Sequence, residues 1–275
     1  MSFALRTALW QVLCLVGIAA GAGVVLRYAN RKTSQSLMRT MGRKGIFVTA
    51  WLGTPVHELA HAAMCVVFGH RVTELKLFHP DERTGTLGYC NHAFNKKNPY
   101  HVIGNFFIGI APVISGLTVV YLLMTLLSPN GHWVSQTLTQ TSDALAGKPS
   151  LVGQLRVVAH ATWGLLRVLV DPSSAGSGWY WLSLYAALCV AMHMAPSSAD
   201  IRGAWVGAAV TGGAFVVLVV LLWLVGVDMA MFARHTSALI AVVLSLLMLV
   251  TVLAVGYALV ATALLELYQL VSGTR

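Results

Sequence analysis

Residues 203–227 run for 25 positions without a charged side chain, and residues 236–265 for 30. At 1.5 Å per helical residue, each run exceeds the roughly 30 Å hydrocarbon core of a bilayer. In lipid the backbone must satisfy its own hydrogen bonds, which leaves helices as the natural spanning form. Composition agrees: 57% of the chain is hydrophobic and 10% charged, where soluble domains carry about 25% charge. The expected class is an all-α polytopic membrane protein with about six transmembrane helices.

Apolar runs place these spans near 8–26, 45–69, 101–127, 179–195, 203–227 and 236–269. The first begins like a signal peptide, but its apolar run continues to residue 26, so it is expected to be retained. Residues 70–100 are the most polar stretch, and their alternation around HPDERTG suggests a small β-hairpin between the second and third spans. In 151–170, Arg156, His160 and Arg167 share one helical face, which suits an interfacial amphipathic helix. The segments 27–44 and 128–150 read as loops. No internal repeat is visible, and residues 1–275 are expected to form a single integral membrane domain, with its core over 45–227. Lys and Arg number 18 against 9 acids. This excess is assigned to the lipid bilayer rather than to nucleic acid, because no basic run is interleaved with aromatics. The expected location is a bacterial plasma membrane, with the oligomeric state open.

Within the second span lies GTPVHELAHAAMCVVFG, residues 53–69. His57 and His61, one helical turn apart, can reach one metal ion. Glu58, rotated by about 100°, can stand beside that ion and act as general base toward a bound water. A glutamate at mid-bilayer costs several kcal/mol unless paired or hydrated. A metal site supplies the reason for it, and zinc is the expected cofactor.

A catalytic zinc site takes a third protein ligand. Of the remaining acids, Glu74, Asp81 and Glu82 lie in the polar stretch, Asp143 in a loop, Asp171 and Asp228 at segment borders, and Glu266 near the end of the last span. Asp200, in HMAPSSADIRGAW, stands at the junction of the fourth and fifth spans. It also fits an S-x-x-D capping box with Ser197 as N-cap. Counting from Gly45, His61 lies about 24 Å into the membrane; counting from Trp179, Asp200 lies about 31 Å along. If 151–170 does not cross, the two arrive on the same side.

HELAH in an apolar helix, GNFFIGIAPVISG at 104–116 and MAPSSADIRGA at 194–204 together resemble the site-2 protease family of intramembrane zinc metalloproteases. That resemblance covers roughly residues 45–227. It implies zinc held by His57, His61 and Asp200, Glu58 as catalytic base, a substrate-guiding hairpin at 72–98, and membrane proteins or peptides as substrates. This chain has Asp-Ile-Arg-Gly in place of the family's Leu-Asp-Gly, lacks the family's Asn before it, and shows no inserted PDZ-like or nucleotide-sensing domain. The departures motivate a second reading: a non-proteolytic zinc-binding membrane protein that senses or binds a partner. A transporter is the third, and is disfavoured because the intramembrane charges cluster at one site.

His193 is a candidate alternative ligand, substrate-polarising group or buried hydrogen-bonded histidine. Asn105 is a candidate for orienting substrate or water, or for helix packing. Pro55 can kink the second span and admit water. The four cysteines, Cys14, Cys65, Cys90 and Cys189, form no CxxC pair and read as small packing residues.

Overall fold

The structure is a computed structural model, and it describes residues 3–81, 85–146 and 151–272. Glu82 and the side chain of Cys14 fall outside what it describes. Among the described residues are eight α-helices: α1 (Phe3–Met41), α2 (Arg43–Val67), α3 (Pro99–Leu126), α4 (Gly131–Ala146), α5 (Leu151–Leu169), α6 (Gly178–His193), α7 (Ser198–Leu224) and α8 (Met229–Ser272). Between α2 and α3 stand two antiparallel strands, β1 (Arg71–Lys76) and β2 (Tyr89–Ala93). The all-α class holds. By length and composition, α3, α7 and residues 235–271 of α8 can each cross a membrane.

Two segments expected as loops are helical. Residues 27–41 continue α1 without a break. They contain no proline, and the long side chains of Arg, Lys, Gln, Leu and Met lose little freedom in a helix. The break falls at Gly42, whose φ of 61° lies where glycine is at ease. Likewise α4 occupies most of 128–150. Its Thr-rich sequence carries a buried stripe of Val134, Leu138 and Thr141 at helical spacing, and Thr137, Thr139 and Thr141 each donate to the carbonyl four residues back. That back-bonding satisfies hydroxyls that otherwise favour turns.

The residues cluster into two compact units. One comprises 1–22, 121–184 and 211–249. There α4 packs on α5, and the Asn130 side-chain amide donates to Asp171 Oδ2 at 2.8 Å and Ser174 Oγ at 3.0 Å. Asp171 in turn caps the short 3-10 turn Pro172–Ser174. Buried Val219 and Met229 gather Phe215, Leu222 and Phe232 around them.

The other unit comprises 23–120, 185–210 and 250–275 and contains α2, the hairpin and the start of α7. In α2 the buried positions Gly45, Thr49, Gly53, His61 and Cys65 follow a four-residue spacing, the inward face of a helix. Trp51, Leu59, Val66 and Val67 on its other faces are exposed. Both strands pack against α2.

Candidate metal centre

The site is built on α2, which presents His57, Glu58 and His61 inside the helix despite Pro55. Backbone carbonyls of two neighbouring helices aim the imidazoles. His57 Nδ1 donates to the His193 carbonyl oxygen of α6 at 2.7 Å. His61 Nδ1 donates to the Ile108 carbonyl oxygen of α3 at 2.8 Å. With Nδ1–H committed outward, each ring turns its Nε2 lone pair inward, and the two Nε2 atoms stand 3.1 Å apart. Histidines that bind metals are oriented in this way.

Two close approaches bring the helices of the site together. A Cβ added to Gly53 would lie 2.6 Å from His193 Nδ1 and press on the Cys189 carbonyl oxygen, so only glycine lets α6 come this near α2. At Gly109 of α3, a Cβ would lie 2.8 Å from both Ala204 Cβ and the Asp200 carbonyl oxygen. Small residues at helix crossings serve this purpose in membranes. Tyr185 adds to the α2–α6 contact by accepting from Trp51 Nε1 at 2.9 Å.

Asp200 arrives from the first turn of α7. The capping box forms: Ser197 N–H donates to Asp200 Oδ2 at 2.6 Å, and Asp200 N–H donates to Ser197 Oγ at 3.2 Å. The turn before α7 is held in place by Arg27 of α1, whose guanidinium donates to the Pro196 carbonyl oxygen at 2.8 Å. So fixed, Asp200 Oδ1 stands 3.4 Å from His61 Nε2, and Oδ2 stands 3.7 Å from His57 Nε2. Donor atoms of His57, His61 and Asp200 all lie within 4.8 Å of one another.

This donor set fits a tetrahedral ion. Ligand atoms about 2.0–2.2 Å from a zinc stand about 3.3–3.6 Å from each other. The two Nε2 atoms, 3.1 Å apart, and Asp200 Oδ1, 3.4 Å from His61 Nε2, stand close to that spacing. Two neutral imidazoles and one carboxylate leave a fourth position open, and Glu58 is buried at 7% exposure beside it. His57, Glu58, His61 and Asp200 line a cavity of about 780 Å³, which Asn105 of α3 and Asn91 of β2 also line.

The remaining candidates separate. His193 contributes its backbone carbonyl to His57, while its ring Nδ1 donates to the Cys189 carbonyl oxygen at 3.0 Å. That arrangement matches a hydrogen-bonded helix-packing histidine. Asn105 lies in the cavity wall, on the helix that orients His61.

Cys65, expected only to pack, is fully buried and lies with His70 and His92 in a second group whose donor atoms are within 4.8 Å of one another. Burial holds His70 and His92 below the ordinary imidazole pKa, and the Cys65 thiol, by hydrogen-bonding Cys90, lowers the pKa of the Cys90 thiol. The sequence signal for this group was Cys-x4-His at the end of α2 followed by Cys-x-His in β2.

No protein-family model, no curated protein and no solved structure matches the chain.

Proposed function

We propose that this chain is a multi-pass intramembrane zinc metalloendopeptidase that cleaves transmembrane or membrane-adjacent peptide segments. The observation that carries the reading is the meeting of Asp200 with the two HELAH histidines, 3.4 and 3.7 Å away, across 139 residues of sequence from His61. A structural capping role alone gives Asp200 no reason to aim its carboxylate at two inward-facing imidazole nitrogens.

His57, His61 and Asp200 would hold the ion. When bound, zinc supplies Lewis acidity toward a peptide carbonyl and toward water. Glu58 takes a proton from the attacking water as its oxygen adds to the carbonyl carbon. It returns that proton to the amide nitrogen as the C–N bond breaks. The outward hydrogen bonds of His57 and His61 keep both rings in the tautomer that leaves Nε2 unprotonated. Asn105, which lines the cavity, would orient a substrate amide. A helical substrate must unwind to expose its carbonyl. In the two-stranded sheet β2 pairs with β1 along one edge, and its Asn91 lines the cavity, so a peptide added along the other edge would pass Glu58.

The test compares wild type with Glu58→Gln, both purified from membranes, for zinc content and for cleavage of a panel of membrane-protein reporters. The expected result is zinc in both and cleavage by wild type alone. Zinc in both with no cleavage by either would favour the sensing or partner-binding reading. Wild type without stoichiometric zinc would sink both.

A further inference from the structure

The last turn of α2 ends in a C-cap that fixes two side chains against each other. His70 N–H donates to the Cys65 carbonyl oxygen at 2.8 Å, and Gly69 N–H donates to the Val66 carbonyl oxygen at 3.2 Å. Gly69 has a φ of 67°. This pair of bonds, six-to-one and five-to-two around a left-handed glycine, is the Schellman motif. It folds His70 back beside Cys65. From the other side comes β2, where Cys90 and His92, two residues apart, share one face of the strand.

Donor atoms of Cys65, His70 and His92 all lie within 4.8 Å of one another. His70 Nδ1 and His92 Nδ1 stand 3.1 Å apart, against about 3.3 Å for two imidazoles on a tetrahedral zinc. His70 Nε2 donates to the His101 carbonyl oxygen at 2.9 Å, which leaves its Nδ1 lone pair facing inward. Phe94 stacks on the His70 ring at 4.9 Å and 8°, locking its plane. Cys65 is wholly buried and His70 is 5% exposed. The Cys90 thiol lies near enough to the Cys65 thiol for the two to interact.

We propose that Cys65, His70 and His92 hold a second metal ion, and that Cys90, on the same strand face as His92, turns in to close it as fourth ligand: a closed zinc site that staples the hairpin to the end of α2. Two thiolates and two imidazoles are a donor set that selects zinc and leaves no open position. Binding releases the two thiol protons to solvent, so no further reactant is needed. The site is structural, and it stands whether or not the HELAH centre is catalytic. Cys65 lies one turn beyond His61 on the same face of α2, so the staple fixes β2 beside the cavity.

The test uses the full chain purified in detergent. Wild type is expected to retain about two zinc ions per chain. The double variant His57→Ala/His61→Ala and the single variant Cys65→Ser should each retain one. After cobalt replaces zinc, a thiolate-to-cobalt charge-transfer band is expected in wild type and in the His57→Ala/His61→Ala variant, and not in Cys65→Ser. A measurement on wild type alone guards against misfolded variants: chelation should expose Cys90 to maleimide, and zinc should protect it again. A charge-transfer band that survives Cys65→Ser, Cys90 labelling indifferent to chelator, or a Cys65–Cys90 disulfide in the mass spectrum of non-reduced protein would each overturn the proposal.

Discussion

Gly53→Ala tests whether the α2–α6 approach orients His57. The added methyl would lie 2.6 Å from His193 Nδ1 and closer still to the Cys189 carbonyl oxygen, so relief to ordinary van der Waals contact requires a separation of at least about 0.8 Å. Moving α6 outward by that amount stretches the His57 Nδ1 bond to the His193 carbonyl from 2.7 Å to at least about 3.5 Å, beyond hydrogen-bond range. Loss of a bond that orients a metal-binding histidine costs about 10–100-fold in metal affinity, or about 1.4–2.7 kcal/mol. Overpacking adds about 1–3 kcal/mol of destabilisation. Zinc affinity, measured by competition with a chromogenic chelator, should fall by that factor, and the denaturation midpoint should fall with it. Gly256→Ala is the control, since a Cβ there meets nothing within 4 Å; it should change neither quantity. A Gly53→Ala protein with wild-type zinc affinity and stability would refute the reasoning, because His57 would then not depend on α6.

Asp200→Ala should abolish binding at the HELAH centre, whereas Ser197→Ala should remove only the reciprocal cap, at about 1 kcal/mol, with zinc content unchanged by elemental analysis. Arg27→Ala frees the Pro196 carbonyl and should cost about 1.5–3 kcal/mol, the range for hydrogen bonds from charged groups, together with a measurable loss of zinc affinity as the turn before Asp200 loosens. Asn130→Ala removes the donor to Asp171 and Ser174 in the other unit and should lower thermal stability by about 1–2 kcal/mol while leaving zinc content intact.

How far the sequence discloses this structure depends on whether the cause is local. HELAH needs only helical periodicity to place two histidines on one face, and SSAD carries its own capping chemistry, so both could be read directly. Depth along two helices then brought Asp200 near His61. The helicity of 27–41 was hidden by charge, which suggested a loop although nothing there breaks a helix before Gly42. In α4, Thr and Ser masked a buried stripe spaced as Val134, Leu138 and Thr141. The Cys65 cluster depends on a Schellman turn and on which face β2 presents, and the second of these is settled by the strand register with Leu75 opposite Cys90. No periodicity in α2 reports that register. For His193 the sequence left open a ligand, a substrate-polarising group or a buried hydrogen-bonded histidine; its ring bonds the Cys189 carbonyl oxygen and its backbone is what reaches the site.

Because Asp200 both opens α7 and faces the histidines, the donor set has an order of assembly in time. His61 leaves the ribosome 139 residues before Asp200, which at 5–20 residues per second is about 7–28 s. Throughout that interval Glu58, His57 and His61 are already in the nascent chain while their carboxylate partner has not been made. The donor set is therefore completed late in biosynthesis, and a chain stalled or truncated before α7 carries the HELAH helix without its carboxylate partner.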